Sequence, residues 1–473
     1  MSDTCQACII CQLDIHSPTE LSEGPTVRMR HRLSLFCIPL FPLLWPSCVA
    51  EAQTREEKVR ADKEKVVADG FWIYNDLPGA MQQAKENGKP VLVVLRCIPC
   101  EECVKLDDDL VDKDPVIRPL LEKFVCVRQV STNGLDLDTF QYDTDQSFAI
   151  FMLNSDGTIY GRFGTRSHRT EWFGDVSLKG LAKALQGALE LHADYPNNQR
   201  SLAGKRGRPL EFARPEKYPS LKDKFTESLN YEGNVVKSCI HCHQIGDARR
   251  EYYWTAGKPI PEALLFPYPH PKSIGLILNP DEEATVASIE PSSAAARCGL
   301  RPGDVIATFD GQPMLSIADV QWVLHHIKAS GGSAALEVVR DGEPIELKLT
   351  LEAGWRRAGD ITWRVSTWPL RRMVLGGMVL DELSDEQRAQ LRSSRSSTAL
   401  AVKRVGQYGP HGAAKRAGFR EGDLLVEFDG RGDFASETDL LRYAIENRRA
   451  GDSVDVTVLR GGQPKTLQLP IQK

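Results

Sequence analysis

The spacing of apolar and polar positions predicts alternating helices and strands between residues 66 and 192. The wholly apolar run Val91–Leu95 predicts a buried strand. Asp76 precedes a helix over Leu77–Asn87, where its carboxylate can accept hydrogen bonds from the first turn. A charged helix (54–65), three more strands (124–130, 148–153 and 158–163) and a last helix (178–192) complete the pattern, with an Asp-Gly turn between the last two strands.

From about residue 273 the chain repeats itself. Gly303 and Asp304 return as Gly422 and Asp423, 119 positions further on, within a longer matched stretch. Such self-similarity predicts two copies of one domain. Each copy combines short strands, Asp-Gly turns and a helix. In the first copy we predict strands at 304–309, 335–339 and 345–351 and a helix at Ile317–His326.

The repeated stretches, Ser292–Asp304 and Gly412–Asp423, resemble PDZ domains, particularly those of exported bacterial proteases. The resemblance implies two such domains, at 273–353 and 372–471. It also implies binding of peptide or protein C-termini by strand addition, with loop N–H groups receiving the terminal carboxylate. By position these loops would be formed by Ile274, Gly275 and Leu276 in the first copy and by Gly376, Gly377 and Met378 in the second. We interpret the tryptophan-rich connector 354–372 as packing between the copies.

Composition narrows the class of protein. A chain of 473 residues with 41% hydrophobic and 26% charged residues is typical of about three globular domains. The net charge of -5 gives no general attraction for nucleic acid, so no nucleic-acid partner is predicted. We find no Gly-x-Ser-x-Gly motif or similar serine nucleophile, so a serine protease is not expected.

Residues 1–52 are predicted to be absent from the mature protein. Met29-Arg-His-Arg, the apolar stretch Leu33–Trp45 and Ala50-Glu51-Ala52 form a signal peptide over 29–52, with residues 1–28 untranslated. The apolar stretch is too short for a membrane span, so the mature chain is predicted to be periplasmic or otherwise extracytoplasmic. Seven of the twelve cysteines would remain: Cys97, Cys100, Cys103, Cys126, Cys239, Cys242 and Cys298.

The first cysteine cluster follows the predicted strand at Val91–Leu95. A thiol at the start of the next helix would have its thiolate stabilised by the helix dipole, and a second thiol three residues on can resolve a mixed disulfide. This arrangement resembles a thioredoxin-like domain over 66–192. The resemblance implies that Cys100 is the attacking thiol and Cys103 the resolving one.

Two features depart from that family. Glu101 and Glu102 place negative charge beside the thiols, which raises the pKa of a thiolate. The family's cis-proline is replaced by Ser147-Phe148-Ala149. An inert disulfide, or a copper(I) or zinc site that includes Cys97, remain alternatives.

The second cysteine cluster, Cys239-Ile-His-Cys242-His243, has the spacing that attaches haem c covalently, with His243 as an iron ligand. Tyr231–Ser238 resembles the helix that leads into this motif in small cytochromes c. His270 is the best local candidate for the second axial ligand, so His243 and His270 are the predicted metal ligands. A disulfide, or a zinc site completed by His270, are the alternatives.

The whole chain is therefore predicted to be a multidomain α/β and α+β protein. A linker at 197–220, with a solvated basic run Lys205–Arg208, would precede a small, mostly helical haem module at 221–272. The leading hypothesis is an exported thiol-disulfide or electron-transfer protein that meets its redox partner through PDZ domains. The competing hypothesis is a PDZ scaffold whose cysteine motifs are only structural.

Overall fold

The computed structural model describes residues 54–96, 114–146, 148–168, 174–384, 398 and 400–473. The elements below belong to one unit, Arg55–Lys473. The predicted signal peptide, Cys97, Cys100, Cys103 and Ser147 lie outside the described residues. Within those residues, no helix has both the length and the apolar character needed to cross a membrane.

The N-terminal domain is built on a five-stranded sheet in the order β1-β3-β2-β4-β5. Its strands are β1 (Ile73–Tyr74), β2 (Val91–Arg96), β3 (Val125–Gln129), β4 (Phe148–Leu153) and β5 (Ile159–Phe163). The first three run parallel, whereas β4 and β5 are antiparallel to their neighbours. The helices of this part of the chain are α1 (Arg55–Asp69), α2 (Leu77–Asn87), α3 (Ile117–Leu121), α4 (Leu178–Asp194) and α5 (Gln199–Leu202).

Local sequence signals explain where these helices begin. The Gly79 N–H donates to Asp76 Oδ1 at 3.0 Å, which confirms Asp76 as the cap of α2. Ser177 caps α4 in the same way by accepting from the Gly180 N–H at 3.0 Å. Strand β4 has the predicted bounds, and β2 is one residue longer than predicted.

Two hydrophobic cores lie on opposite faces of this sheet, because successive side chains of a strand point to opposite sides. Leu92 and Val94 pack towards α3 and α4. Val91, Val93 and Leu95 pack towards α2 and towards a later part of the chain, represented by Tyr218, Leu221, Ile240, Ile245 and Ala248. The predicted module at 221–272 therefore shares a core with the sheet and does not have one of its own.

That later segment contains two more helices, α6 (Cys242–Thr255) and α7 (Glu262–Leu265). The first repeat copy follows, with β6 (Leu276–Leu278), β7 (Val286–Ile289), α8 (Ala294–Cys298), β8 (Val305–Phe309), β9 (Gln312–Pro313), α9 (Ile317–His326), β10 (Gly332–Arg340) and β11 (Glu343–Leu351). The second copy has α10 (Thr367–Leu375), β12 (Met378–Glu382), β13 (Leu400–Val405), α11 (Ala413–Ala417), β14 (Leu424–Phe428), α12 (Glu437–Asn447), β15 (Ser453–Arg460) and β16 (Gln463–Pro470).

The matched aspartates of the repeat form the same ion pair in both copies. Asp304 binds the Arg340 guanidinium at 2.7 and 2.8 Å, and Asp423 binds Arg460 at 2.7 Å through both oxygens. Each arginine also donates to the carbonyl of a matched glycine. The sequence repeat thus preserves a bidentate ion pair between a strand and the turn before another strand.

The predicted linker at 197–220 is only partly solvated: Arg206 and Arg208 of its basic run are exposed as predicted, whereas the prediction is wrong for Lys205. Lys205 is fully buried, with its Nζ 2.9 Å from Asp319 Oδ1, and Tyr218 is fully buried as well. Asp319 lies on α9, so the lysine supplies the charge that this buried carboxylate requires. The segment is packed between the N-terminal domain and the first repeat copy.

Helix α9 packs directly on β5 of the N-terminal domain. The Arg162 N–H donates to Asp319 Oδ1 at 3.3 Å, and Ser316 Oγ donates to the Arg162 carbonyl at 2.5 Å. The Arg162 guanidinium lies 3.6 Å from the centre of the Trp322 ring. Every residue from 317 to 324 is buried, so the first copy is held rigidly against the sheet.

The connector 354–372 joins more than the two copies. Arg364 Nη1 lies 2.6 Å from Asp143 Oδ1 and 3.3 Å from Asp145 Oδ2, both in the N-terminal domain. Ser366 donates to Asp145 through its N–H and its hydroxyl. Burial alone would raise the pKa of Asp145, but the charges of Arg364 and Arg250 lower it below its usual range.

Replacing Arg364 should therefore destabilise the protein strongly. Arg364→Leu removes the positive charge bonded to two buried carboxylates, and we expect the free energy of unfolding to fall by about 3–5 kcal/mol in urea titrations. Lys403→Met is the matched control, because Lys403 and Asp381 form an ion pair whose side chains are more than half exposed. The control should change stability by less than about 1 kcal/mol. Equal losses in the two variants would contradict this account.

Candidate functional site

The Cys-x-x-Cys-His motif lies in a loop docked on the N-terminal sheet. Ile240, between the two cysteines, is fully buried in the core beneath β2. Its carbonyl accepts from the Thr132 N–H at 3.1 Å and from Thr132 Oγ1 at 2.9 Å. The loop is fixed by backbone bonds to the segment that follows β3.

Asn133 completes that docking with its side-chain amide. Its Oδ1 accepts from the Ile240 N–H at 2.8 Å, and its Nδ2 donates to the carbonyls of Thr226 and Ser238 at 2.7 and 2.9 Å. One buried amide therefore satisfies three backbone groups on both sides of the first cysteine. The position of Cys239 follows from this anchor.

The segment that leads into the motif is not the predicted helix. Residues 231–238 form bends and turns, and this part of the resemblance to small cytochromes c is wrong. Glu56 of α1 accepts from the N–H groups of Val235 and Val236 at 3.0 and 3.1 Å. A carboxylate from a remote helix thus binds backbone groups that a continuous helix would have paired internally.

The docked loop lies at the end of the sheet formed by the C-terminal ends of β1, β2 and β3, which we call the sheet edge. These strands are parallel, so Tyr74, Arg96 and Gln129 end on the same side. A polar chain crosses this edge: Arg96 binds Asp62 at 2.6 Å, Asp62 accepts from Tyr74 at 3.0 Å, and the Tyr74 and Tyr231 hydroxyls are 3.4 Å apart. Arg96 precedes Cys97 in sequence and is the last residue of β2, which ends on the side of the sheet that holds the second cysteine cluster.

The two thiols of the motif differ in their surroundings. Cys239 is 8% exposed, and burial, reinforced by Cys242, raises the pKa of its thiol to about 12. Cys242 is half-buried and is the first residue of α6. Cys239 is therefore a protonated, shielded thiol at neutral pH, whereas Cys242 is the more accessible one.

The motif histidines have different partners. His243 Nδ1 lies 3.2 Å from Asp247 Oδ2, one helical turn along α6. His241 stacks parallel to His243 with ring centres 6.0 Å apart. Burial, together with the charge of His243, lowers the pKa of His241 to about 4.

Glu211 holds α6 in place. Its carboxylate accepts from Arg249 at 2.8 and 3.0 Å and from the hydroxyls of Tyr253 and Tyr218 at 3.0 and 2.8 Å. Burial would raise the pKa of Glu211, but these hydrogen bonds and the Arg249 charge lower it to about 2. The helix that carries Cys242 and His243 is thus tied to the segment 197–220 by an ionised carboxylate.

His270 does not join the motif. Its Nε2 lies 3.4 Å from Asp175 Oδ1, and its Nδ1 accepts from the Lys272 N–H at 3.3 Å. In the described part of the chain, no three His, Cys, Asp or Glu side chains are grouped to hold a metal ion. The alternative zinc site, with His270 beside Cys239 and Cys242, is therefore not assembled among the described residues. The fit to haem is partial: two thiols and one carboxylate-supported imidazole are present, without a second axial histidine at His270.

The predicted peptide groove of the first repeat copy lies between β6 and α9. A peptide whose carboxylate reached Ile274, Gly275 and Leu276 would run along β6 towards Pro280. Here Ser177 Oγ donates to the Pro280 carbonyl at 3.0 Å, and Gly180 lies so close to that oxygen that a side chain would collide with it. Helix α4 therefore closes the far end of this groove.

The second copy presents β12 at the end of its sheet, in the order β12-β13-β14-β15-β16. Its predicted carboxylate loop follows α10 directly, and the N–H groups of Gly376 and Gly377 both donate to the Arg371 carbonyl. Gly377 has a φ of 85° and lies against the His411 carbonyl, where a side chain would collide. The loop is folded as a helix cap.

A buried glutamate occupies the edge of β12. Glu437 Oε1 accepts from the Leu380 N–H at 2.9 Å, and the same carboxylate binds Arg371 at 2.5 Å with both side chains buried. Leu380 belongs to the edge strand along which a peptide would add, and its N–H is already bonded by a side chain. Glu437 therefore takes the place of a peptide carbonyl.

Comparison with known proteins agrees with this architecture. A family described as thioredoxin-like matches residues 72–155, and one described as the PDZ domain matches residues 272–351 and 390–471. The chain therefore contains a thioredoxin-like domain and two PDZ domains.

The relatives match little more than a third of this chain. A probable periplasmic serine endoprotease DegP-like of Pseudomonas fluorescens is 31% identical over 182 residues, which cover 38% of this chain and 36% of the relative. A protein of the same name from Pseudomonas savastanoi is 29% identical over 185 residues, with the same coverage. A solved structure of the HtrA-type protease AlgW with decapeptide covers 29% of this chain at 14% identity, with a TM-score of 0.19. The chain thus spans little more than a third of these curated relatives.

Sequence reasoning missed Asn133 and Glu437. Asn133 lies in a Ser-Thr-Asn-Gly stretch that signals only a turn. Glu437 follows Ser436, and an acidic residue in the first turn of a helix is ordinarily solvated. The repeat offered one signal, because the two helices are capped by Ser316 and Ser436, and the first copy has the apolar Ile317 at the position that Glu437 occupies.

Proposed function

We propose that this is an exported redox protein that exchanges thiols or passes electrons, and that its second PDZ domain attaches it to peptide or protein C-termini. The observation that supports the redox role is the common edge of the N-terminal sheet. There β2 ends one residue before Cys97, and the loop bearing Cys239 and Cys242 docks beside the end of β3. Periplasmic DegP-like relatives and the predicted signal peptide support export.

The chemistry assigned to Cys100 and Cys103 is thiol-disulfide exchange. The Cys100 thiolate attacks one sulfur of a substrate disulfide, and the other substrate sulfur leaves as a thiolate and takes up a proton. Cys103 then attacks the Cys100 sulfur, so the second substrate thiol leaves. The Cys100–Cys103 disulfide forms, and two electrons pass to the substrate.

The exchange is tested by trapping its intermediate. Cys103→Ser removes the resolving thiol, so a mixed disulfide at Cys100 should accumulate and survive alkylation and non-reducing electrophoresis. Peptide mass spectrometry identifies the partner sulfur, and within the chain we expect Cys239 or Cys242, whose loop docks beside the end of β3. Cys100→Ser should trap nothing, because the attacking thiol is missing.

Cys298→Ser is the matched control, since Cys298 is a half-buried thiol of the first PDZ domain. Cys298→Ser should exchange disulfides at the wild-type rate and should not accumulate a mixed disulfide. If Cys103→Ser formed no mixed disulfide, or if the wild-type disulfide resisted dithiothreitol in the folded protein, the scaffold hypothesis would replace the redox role.

A second candidate function is electron transfer by haem c bound at Cys239 and Cys242. The contact between His243 Nδ1 and Asp247 favours it, because a carboxylate on one ring nitrogen orients an imidazole that ligates metal through the other. Haem would supply one-electron redox chemistry. This chain's own contribution would be to hold His243 in one orientation and to shield Cys239 from water.

Covalent haem has a direct test. Protein exported from a host with cytochrome maturation machinery should show a Soret band and haem-stained bands on a denaturing gel, and Cys239→Ala with Cys242→Ala should lose both. Asp247→Asn should keep the covalent haem but shift the reduction potential. A wild-type protein without covalent haem removes this candidate and leaves the thiol chemistry untouched.

The peptide-binding role is assigned to the second PDZ domain. Its edge strand β12 is not closed by a neighbouring domain as β6 is, but its Leu380 N–H is held by Glu437. A peptide carbonyl can replace the Glu437 carboxylate only if that carboxylate stays paired with Arg371 or moves into water. In the free protein the Glu437 carboxylate therefore occupies the groove beside β12, and it has to move away from the Leu380 N–H when a peptide binds.

Removing the buried pair should strengthen peptide binding. In Arg371→Met with Glu437→Ala, the Leu380 N–H no longer has a charged acceptor, so an incoming peptide displaces nothing there. We expect affinity for C-terminal peptides from a random library to rise by about tenfold, measured by fluorescence anisotropy. Peptides with an amidated C-terminus should bind more weakly.

Arg442→Met with Glu446→Ala is the control, because this partly exposed ion pair lies on the same helix α12. It should leave affinity unchanged. The same circular dichroism spectrum in both double variants would show that the fold is kept. If no library peptide bound either the wild type or the Arg371→Met, Glu437→Ala variant, the peptide-binding role would be wrong.

A further inference from the structure

The first half of helix α1 is bonded to residues 231–236, the loop that leads into the second cysteine motif and that we call the lead-in loop. Glu56 accepts from two backbone N–H groups of this loop, at 3.0 and 3.1 Å. Arg60 donates to two of its carbonyls, those of Tyr231 and Gly233, each at 2.7 Å. Two side chains one helical turn apart therefore hold four backbone groups that lie more than 170 positions away in the sequence.

The lead-in loop in turn holds Cys239. The Cys239 N–H donates to the Val236 carbonyl at 3.3 Å, and Ser238 Oγ donates to the Val235 carbonyl at 2.8 Å. Burial raises the pKa of the Tyr231 hydroxyl, and the nearby Cys239 thiol raises it further, so Tyr231 lies close to that thiol. The backbone that α1 holds on one side therefore fixes Cys239 on the other.

The opposite side of the motif is fixed to the sheet. Asn133 and Thr132 bond the backbone of Ile240, whose side chain is fully buried in the core. Opening the motif from this side would disrupt the core of the thioredoxin-like domain. The contacts of α1 are easier to break, because the side chains of Glu56 and Arg60 are 28% and 38% exposed and water can replace them.

Helix α1 has a second attachment, which allows its first half to move by itself. Only Val59 and Val66 of its fifteen residues are buried. In the second half, Val66 packs in one core of the sheet and Asp62 binds Arg96 at 2.6 Å. In the first half, Val59 belongs to a small apolar cluster with Val235. The second half is therefore anchored to the sheet, whereas the first half is held mainly by polar contacts.

Both candidate reactions of the motif need both of its thiols, because a cysteine pair resolves a mixed disulfide with its second thiol and haem c forms two thioethers. In the structure Cys239 is 8% exposed, whereas Cys242 is half-buried. We propose that the first half of α1 is a removable cover: when Glu56 and Arg60 release the lead-in loop, Cys239 becomes accessible. This inference rests on the proposed function only for the reaction that Cys239 then undergoes.

Alkylation with iodoacetamide measures the cover directly. The whole protein is made without cytochrome maturation machinery and reduced, and peptide mass spectrometry follows the rate at each cysteine. Glu56→Ala removes the acceptor of two N–H groups, and Arg60→Met removes the donor to two carbonyls. Each variant should raise the rate at Cys239 about tenfold, because labelling requires local opening of the loop. The rate at Cys242 should not change.

Glu64→Ala is the matched control, because Glu64 is an exposed glutamate of the same helix. It should leave the rate at Cys239 at the wild-type value. Cys126 reports on global unfolding, since it is 3% exposed in the core of the thioredoxin-like domain. It should stay unlabelled in every variant.

The proposal is overturned if Glu56→Ala and Arg60→Met label Cys239 no faster than Glu64→Ala does, or if Cys126 is labelled together with Cys239. Labelling and thiol exchange can fail separately. Faster labelling of Cys239 without any mixed disulfide in the trapping experiment would support the cover and remove the redox role. Normal exchange with an unchanged rate at Cys239 would support the redox role and remove the cover.

Discussion

The arrangement of the domains depends on charges buried where the thioredoxin-like domain meets the rest of the chain. Lys205 with Asp319, and Arg364 with Asp143 and Asp145, are almost fully removed from water. Each group would be costly to bury alone, so the partners from different domains must stay together. The first PDZ domain and the connector are therefore fixed in position by electrostatics as well as by apolar packing.

This constraint explains why two copies of one domain serve different ends. The helix α9 of the first copy is buried against β5, and the end of its groove meets α4, so its surfaces are used for architecture. In the second copy, the edge strand β12 is not part of that junction. Its Leu380 N–H is bonded by the Glu437 carboxylate instead. An unpaired edge strand invites unwanted pairing, and a buried carboxylate on its N–H is one way to prevent it. The same sequence repeat thus provides a support in one copy and an edge strand covered by a buried carboxylate in the other.

Much of the fold could be predicted, because it follows local patterns. Asp76 as a cap, the buried strand at Val91–Leu95 and the paired aspartates of the repeat depend on neighbours in sequence or on the repeat itself. The errors concern long-range partners. From the sequence alone Lys205 is predicted to be solvated, because its partner Asp319 is more than 100 positions away. Residues 221–272 are predicted to be a separate module, because the sequence does not show that Ile240 packs in the core of the sheet.

The candidate site shows the same division. Spacing identified Cys239, Cys242 and His243, but it did not show that Asn133 binds the loop or that Glu56 binds the segment before it. Both side chains act on backbone groups of a loop that has no regular structure. A loop fixed in this way holds Cys239 buried at one edge of the sheet, and the buried thiol stays protonated. If the motif takes part in thiol chemistry, Cys242 is the thiol that a partner can reach, whereas Cys239 is shielded by its burial.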